Sequence, residues 1–266
     1  MLKNFVITGD THGDVATRLE QIFSEYYIPE ETGVIILGDA GFNFFLNKTD
    51  EKTKRLAEAY GCYIYCVRGN HEERPQNISS YTIVYDENVN GHVWFEREHP
   101  LIRFFIDGYE YNIKGYSVLV IGGAYSVDKH YRILRAGLTE ETNDPKKSGW
   151  FSSELLTKDE MNTISDVVKG KSYDFVLTHC APTEFVPRDL FLNFIDQSKV
   201  DTTMEDWLDE IKNTFSWKHW LFGHYHASRV ERPHVEQLYK DFGDIDAIED
   251  FWNEYDKSTE EISLFE

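Results

Sequence analysis

The sequence predicts an α/β fold whose functional loops gather at the C-terminal ends of its strands. Three observations carry that expectation. Short apolar runs alternate with amphipathic segments, the pattern of successive β-α units. The runs FVIT, GVIILGD and CYIYCV each lead into a glycine-containing polar cluster. No apolar stretch is long enough for a membrane span, which needs about 20 residues. The chain has 266 residues, 41% hydrophobic and 15% aromatic, enough for a sizeable core. Without a linker, repeat or low-complexity segment, it reads as one domain over 1–266.

Taken in order, FVIT is the first strand. Asp14 to Tyr27 follows as a helix, with Val15, Leu19, Ile22, Phe23 and Tyr26 at helical spacing. Pro29 marks a loop before the strand GVIILGD, and Asp50 to Tyr60 is a charged amphipathic helix. In the strand CYIYCV, alternation sets Cys62 and Cys66 on one face as buried thiols. YTIVYDENVNGHVWF and LIRFFIDGYEYNI alternate like strands, with Asn90-Gly91 and Asp107-Gly108 as hairpin turns. YSVLVIGGAYS is a further strand. Residues 125–170 read as polar helix interrupted at Pro145 and Gly149. The strand DFVLTHC, a loop with Pro182 and Pro187, the helix TMEDWLDEIKN and the strand HWLFGHYH complete the body.

The formal net charge is −20. Such a surface repels polyanions, so long duplex nucleic acid is disfavoured as a partner, and no basic stripe with interleaved aromatics points to a nuclease. Much of the excess acid lies in segment 241–266, which also carries Phe242, Phe251, Trp252, Tyr255 and Phe265. It reads as a helix or strap against the body, with a solvated acidic tail as the alternative. Three cysteines, an odd and low number, fit a reducing compartment, and the N-terminal segment lacks signal-peptide character; a cytoplasmic protein is expected.

Just after the strands stand Asp10-Thr-His12, Gly38-Asp39, Gly69-Asn70-His71-Glu72, Thr178-His179-Cys180 and Gly223-His224-Tyr-His226. Carboxylates, imidazoles and one carboxamide at a single sheet edge suit two divalent cations of hard to borderline character. In Asp-x-His and His-x-His, an extended backbone points both side chains the same way. Glycines beside the ligands allow sharp turns and close approach. Asp39 falls between the imidazole-rich groups in chain order and can bridge. Two metals about 3.5–4 Å apart clamp the attacking and leaving oxygens of an in-line displacement. Cys180 should point away from the metals, and His99, His130, His219 and His234 read as ordinary satisfied histidines.

The ordered set D-x-H, G-D, G-N-H-[ED], a lone H and G-H-x-H resembles the calcineurin-like metallophosphoesterase superfamily, over residues 10–226. The resemblance implies a four-layer α/β/β/α sandwich with a binuclear site at the C-terminal ends of the strands. It implies Asp10, His12 and His226 on the first metal, Asn70, His179 and His224 on the second, and Asp39 bridging. His71 matches the position near the leaving-group oxygen, as general acid or charge stabiliser, and a bridging water is the implied nucleophile. The expected activity is metal-dependent hydrolysis of a phosphomonoester or phosphodiester, with nucleotides among the candidate substrates; a nuclease, a protein serine/threonine phosphatase and a non-catalytic scaffold are the alternatives. Manganese is the first expectation for the metal, with iron, zinc, nickel, cobalt or magnesium as substitutes.

The sequence departs from the protein serine/threonine phosphatase branch, where the second motif runs G-D-x-x-D-R-G. Phe42 and Asn43 here replace the Asp that supports the histidine and the Arg that holds phosphate. That argues against a dedicated phosphoprotein phosphatase, and leaves Glu72, a backbone carbonyl or water to orient His71. The stretch GGAYSVDKHYR, with Trp150 and Glu154 beyond, looks like a small bacterial and phage-type subset of the superfamily. Lys129, Arg132 and Arg135 either supply the missing phosphate contacts or solvate an exposed helix.

Overall fold

The computed structural model describes residues 2–25, 27–191 and 196–263, with side chains up to Glu260. Tyr26 and Phe265, named above, lie outside the described residues. Strand alternation explains the layering. In β1 (Asn4–Thr8), β2 (Thr32–Ile36) and β3 (Tyr63–Cys66), Phe5, Ile7, Ile35 and Tyr65 enter one apolar cluster. Their neighbours Val6, Val34, Ile36, Ile64 and Cys66 enter another, against α1 (Val15–Phe23) and α2 (Lys48–Glu58). Both faces of these strands are buried, which is why their sequences are apolar throughout.

Further strands are β4 (Tyr81–Asp86), β5 (Gly91–Glu96), β6 (His99–Phe105), β7 (Tyr109–Ile113), β8 (Tyr116–Ile121), β9 (Ser172–Thr178) and β10 (Ser216–Phe222). The last three are β11 (Arg229–Arg232), β12 (Val235–Gln237) and β13 (Phe242–Asp244). Among the described residues they form two mixed sheets, ordered β13-β1-β2-β3-β6-β5-β4 and β11-β12-β10-β9-β8-β7. Each has a parallel centre, β1-β2-β3-β6 in the first and β8-β9-β10-β12 in the second.

The sheets face each other across the cluster of Phe5, Ile7 and Tyr65 with Val118, Phe175, Leu177 and Leu221. The outer face of the second sheet is covered by α5 (Lys158–Val168) and α6 (Thr203–Ile211), through Met161, Ile164, Met204 and Leu208. Helix, sheet, sheet, helix: this is the four-layer α/β sandwich. In the 125–170 region α3 (Lys129–Arg135) ends well before Pro145, which opens α4 (Pro145–Ser148) rather than breaking a helix, and Gly149 at φ 71° closes it as expected. No helix among the described residues is long and apolar enough to cross a membrane.

Two readings need correcting or completing. Asp107-Gly108 does not close a hairpin, because β6 belongs to the first sheet and β7 to the second. The chain there crosses between sheets, with Gly108 N–H on Val120 O at 2.7 Å. The real hairpin joins β7 to β8 through Lys114 and Gly115, both at positive φ (55° and 95°). The acidic end of the chain packs: β13 pairs antiparallel with β1, and α7 (Ile245–Ser263) sends Ile245, Ile248 and Trp252 into the inter-sheet core.

Candidate metal centre

The parallel strands β1, β2, β3, β9 and β10 each end in a loop, and the motif residues lie on those loops. Four of them are not in extended backbone, contrary to the extended geometry expected for the Asp-x-His and His-x-His pairs. His12, Asp39, His224 and His226 all stand at left-handed φ, at 47°, 51°, 67° and 53°. Such conformations are unfavourable for these residues and persist where surroundings enforce them, as at functional sites. The enforcement is visible: His12 N–H donates to Asp39 O at 2.7 Å, and Asp10 Oδ1 accepts from His224 N–H at 2.9 Å. Asp39 Oδ1 accepts from His71 N–H at 2.8 Å.

Glycines make the crowding possible. A Cβ on Gly69 would lie 1.9 Å from Asp39 Oδ1, and one on Gly223 would lie 2.3 Å from Asp10 Oδ1. Each glycine leaves the space through which a carboxylate from another loop reaches the centre.

One carboxylate oxygen of each aspartate is thus occupied, while Asp10 Oδ2 and Asp39 Oδ2 are buried without a hydrogen-bond partner. Imidazoles ring them. His226 Nε2 and His12 Nε2 stand 3.5 and 3.7 Å from Asp10 Oδ2. His179, His12 and His71 place Nε2 at 3.6, 3.9 and 4.0 Å from Asp39 Oδ2. These gaps exceed a direct hydrogen bond and suit two donors sharing an ion at about 2.0–2.2 Å each. Two ligand clusters result, Asp10 with His12 and His226, and Asp10 with Asp39 and His179. Asn70 joins the second, its Oδ1 2.8 Å from His179 Nε2.

His224 is half-buried with its ring 5.0 Å from that of His179, outside both clusters. Buried, unpartnered carboxylate oxygens opposed by imidazole nitrogens fit a pair of divalent cations.

Electrostatics agree. Burial opposes charge on Asp10 and Asp39, yet the histidines around them, His179 foremost, hold both carboxyls below the usual range. Burial also opposes charge on His179, but Asp39 and Asp10 push it up to about 9. Its Nδ1 meets Leu37 O at 2.7 Å, leaving Nε2 toward the centre. Burial, reinforced by His179, lowers His224 to about 3. A metal ion takes the place of such protons when it binds.

Other expectations resolve individually. Phe42 is buried in the core, and Asn43 bonds to Glu73 O and Tyr81 OH, so neither reaches the centre. Glu72 does not orient His71; its Oε1 accepts from Gly69 N–H at 2.8 Å and braces the loop from within. Cys180 points into the outer helix-side cluster, away from the carboxylates.

Lys129 is engaged by Glu140 at 3.0 Å and lies over the Trp150 ring, and Arg135 is exposed at the end of α3. Arg132 comes closest: its guanidinium lies 5.9 Å from the Phe44 ring centroid, and its charge is felt by His71. Sequence reasoning missed Tyr239, stacked on His226 at 4.8 Å and tied through its carbonyl to Arg18. It comes from the connection between β12 and β13, which carries no motif.

Comparison with curated proteins yields no match. The family model for calcineurin-like phosphoesterases matches residues 3–228, a span that contains all five loops. With that match and with paired Asp/His clusters at the strand ends, the chain is a metal-dependent phosphoester hydrolase and belongs to the calcineurin-like phosphoesterase family.

Proposed function

We propose that the chain hydrolyses small phosphate esters, nucleotides included, at two cations. Asp10, His12 and His226 hold the first, Asn70, His179 and His224 the second, and Asp39 lies between them. The observation carrying this reading is the pair of buried oxygens, Asp10 Oδ2 and Asp39 Oδ2, with no partner except the surrounding imidazoles at 3.5–4.0 Å. When bound, two such ions offset phosphate charge and acidify the attacking water. Mixed oxygen and nitrogen donors favour manganese here, with iron, zinc, nickel, cobalt or magnesium as substitutes.

The protein's own groups do the rest. His71, fixed through its backbone N–H to Asp39, presents its ring at the rim and donates a proton or hydrogen bond to the leaving oxygen. Burial, against the pull of Asp39, keeps it below the usual histidine range. Arg132 gives Nε to Asp128 and Nη1 to Gly149 O, and its Nη2 is available to a phosphate oxygen. A net charge of −20 favours small esters over polyanions. The three cysteines are buried and unpaired, which fits a cytoplasmic setting.

The test is turnover of p-nitrophenyl phosphate and bis-p-nitrophenyl phosphate by metal-stripped protein, with and without Mn²⁺. Restored hydrolysis is expected, and the ratio of the two rates separates monoesterase from diesterase. Equal turnover without any metal would refute the reading.

A further inference from the structure

The segment after β8 contributes something other than the basic residues that first drew notice to it. Asn70 Nδ2 donates to Ser126 Oγ at 2.8 Å, and Ser126 Oγ donates to Glu154 Oε2 at 2.5 Å. All three side chains are buried, at 1%, 3% and 2% exposure. We propose that Ser126 and Glu154 form a hydrogen-bond relay that fixes the Asn70 amide with its oxygen facing the second cation. This inference rests on the two-cation reading above.

Donor and acceptor chemistry sets the direction. A carboxylate only accepts and an amide nitrogen only donates, while a serine hydroxyl has one proton and two lone pairs. With Glu154 ionised, the serine proton goes to Glu154 and a lone pair takes the Asn70 N–H. Asn70 Oδ1 is then the end turned toward His179 Nε2, which itself faces Asp39 Oδ2 at 3.6 Å. The flipped amide would set an NH₂ group against the cation and lose the bond to Ser126.

The relay is itself anchored. Buried Arg68, from the loop that carries Asn70, donates to Glu154 O at 2.7 Å and to Gly122 O at 3.0 Å. Arg68 O accepts from Gly123 N–H at 2.7 Å. Both distant pieces of the relay are thereby fastened to the ligand loop. Partners that orient a ligand commonly change metal affinity about 10–100-fold when removed. Ser126 and Glu154 are positioning residues, acting only through Asn70.

The experiment titrates metal-stripped full-length protein with Mn²⁺, by calorimetry and by the electron paramagnetic resonance signal of the exchange-coupled pair. Wild type should bind two equivalents. Ser126→Ala should bind the first as wild type does and the second about 10–100-fold more weakly, with the coupled signal delayed to match. Ser126→Thr, which keeps the hydroxyl, should restore the second site. If Ser126→Ala does not fold, Glu154→Leu, which removes the acceptor, carries the test, with the same selective weakening expected. An unchanged second site in both variants, or equal weakening of both sites, overturns the relay. Fewer than two equivalents in wild type would instead overturn the two-cation reading itself.

Discussion

Two sets of histidines that face carboxylates in this molecule meet opposite fates. Away from the centre, His99 lies between Glu51 and Glu58, with each ring nitrogen 2.9 Å from a carboxylate oxygen. His219 meets Glu249 at 2.7 Å and His234 meets Asp256 at 3.0 Å. There the imidazole–carboxylate pairs are closed by direct hydrogen bonds. At the strand ends the same groups stand 3.5–4.0 Å apart, around oxygens that nothing else satisfies. Burial of a histidine is therefore no sign of a ligand. An opened pair, held apart by left-handed backbone at His12, Asp39 and His226, is such a sign.

The sharpest way to break that contrast is Asp39→Asn, which removes the charge that opposes three imidazoles. Turnover should fall ~10³-fold or more while the circular dichroism spectrum is kept. Wild-type turnover in this variant would mean that Asp39 is not central. Gly69→Ala removes no polar atom, but its methyl would lie 1.9 Å from Asp39 Oδ1 and 2.3 Å from the Asp39 backbone nitrogen, so Asp39 must move. A shift of about 1 Å should cost about 10²-fold in rate, and unchanged kinetics would show that the carboxylate's position is not critical.

The closed pairs give the complementary control. His99→Leu leaves Glu51 and Glu58 without their shared partner, so unfolding should become easier by about 1–3 kcal/mol. Metal content and turnover should not move; a loss of bound metal would erase the distinction between the two sets.

The smallest effect is one of pH. His179 is pushed up to about 9 from an ordinary 6.5, so its protonated pairing with Asp39 and Asp10 stabilises the metal-free protein. That contribution is fully present below pH 6.5 and fades as pH rises through about 9. Metal displaces the same proton, so the rise in Tm on adding Mn²⁺ should grow from pH 6.5 upward. A flat response across that window would count against His179 as a ligand.

Much of the architecture was legible in the sequence because strands buried on both faces read as apolar runs, and because Asp10, Asp39, Asn70 and His224 each follow a loop glycine. Asp10, His12, Asp39, Asn70, His179 and His226 were singled out by their places after the strands, with their ligand roles implied by the family resemblance, and they do converge. What escaped was long-range. Asp107-Gly108 has hairpin chemistry, but only the packing of two sheets reveals that the flanking strands part. The relay from Asn70 to Ser126 and Glu154 spans 56 and then 28 residues, so no spacing announces it. Lys129 and Arg132 looked like free cations until Glu140, Trp150 and Asp128 were seen to engage them. Tyr239 reaches His226 from a connection without any motif.

The central claim is that the opened pairs hold two cations that work together on a phosphate ester. Its most direct test is a Mn²⁺ titration of metal-stripped protein in which bound metal and bis-p-nitrophenyl phosphate hydrolysis are followed in the same samples. Turnover should appear only as the second equivalent per chain is bound. Full activity at one equivalent, or in stripped protein, would contradict it.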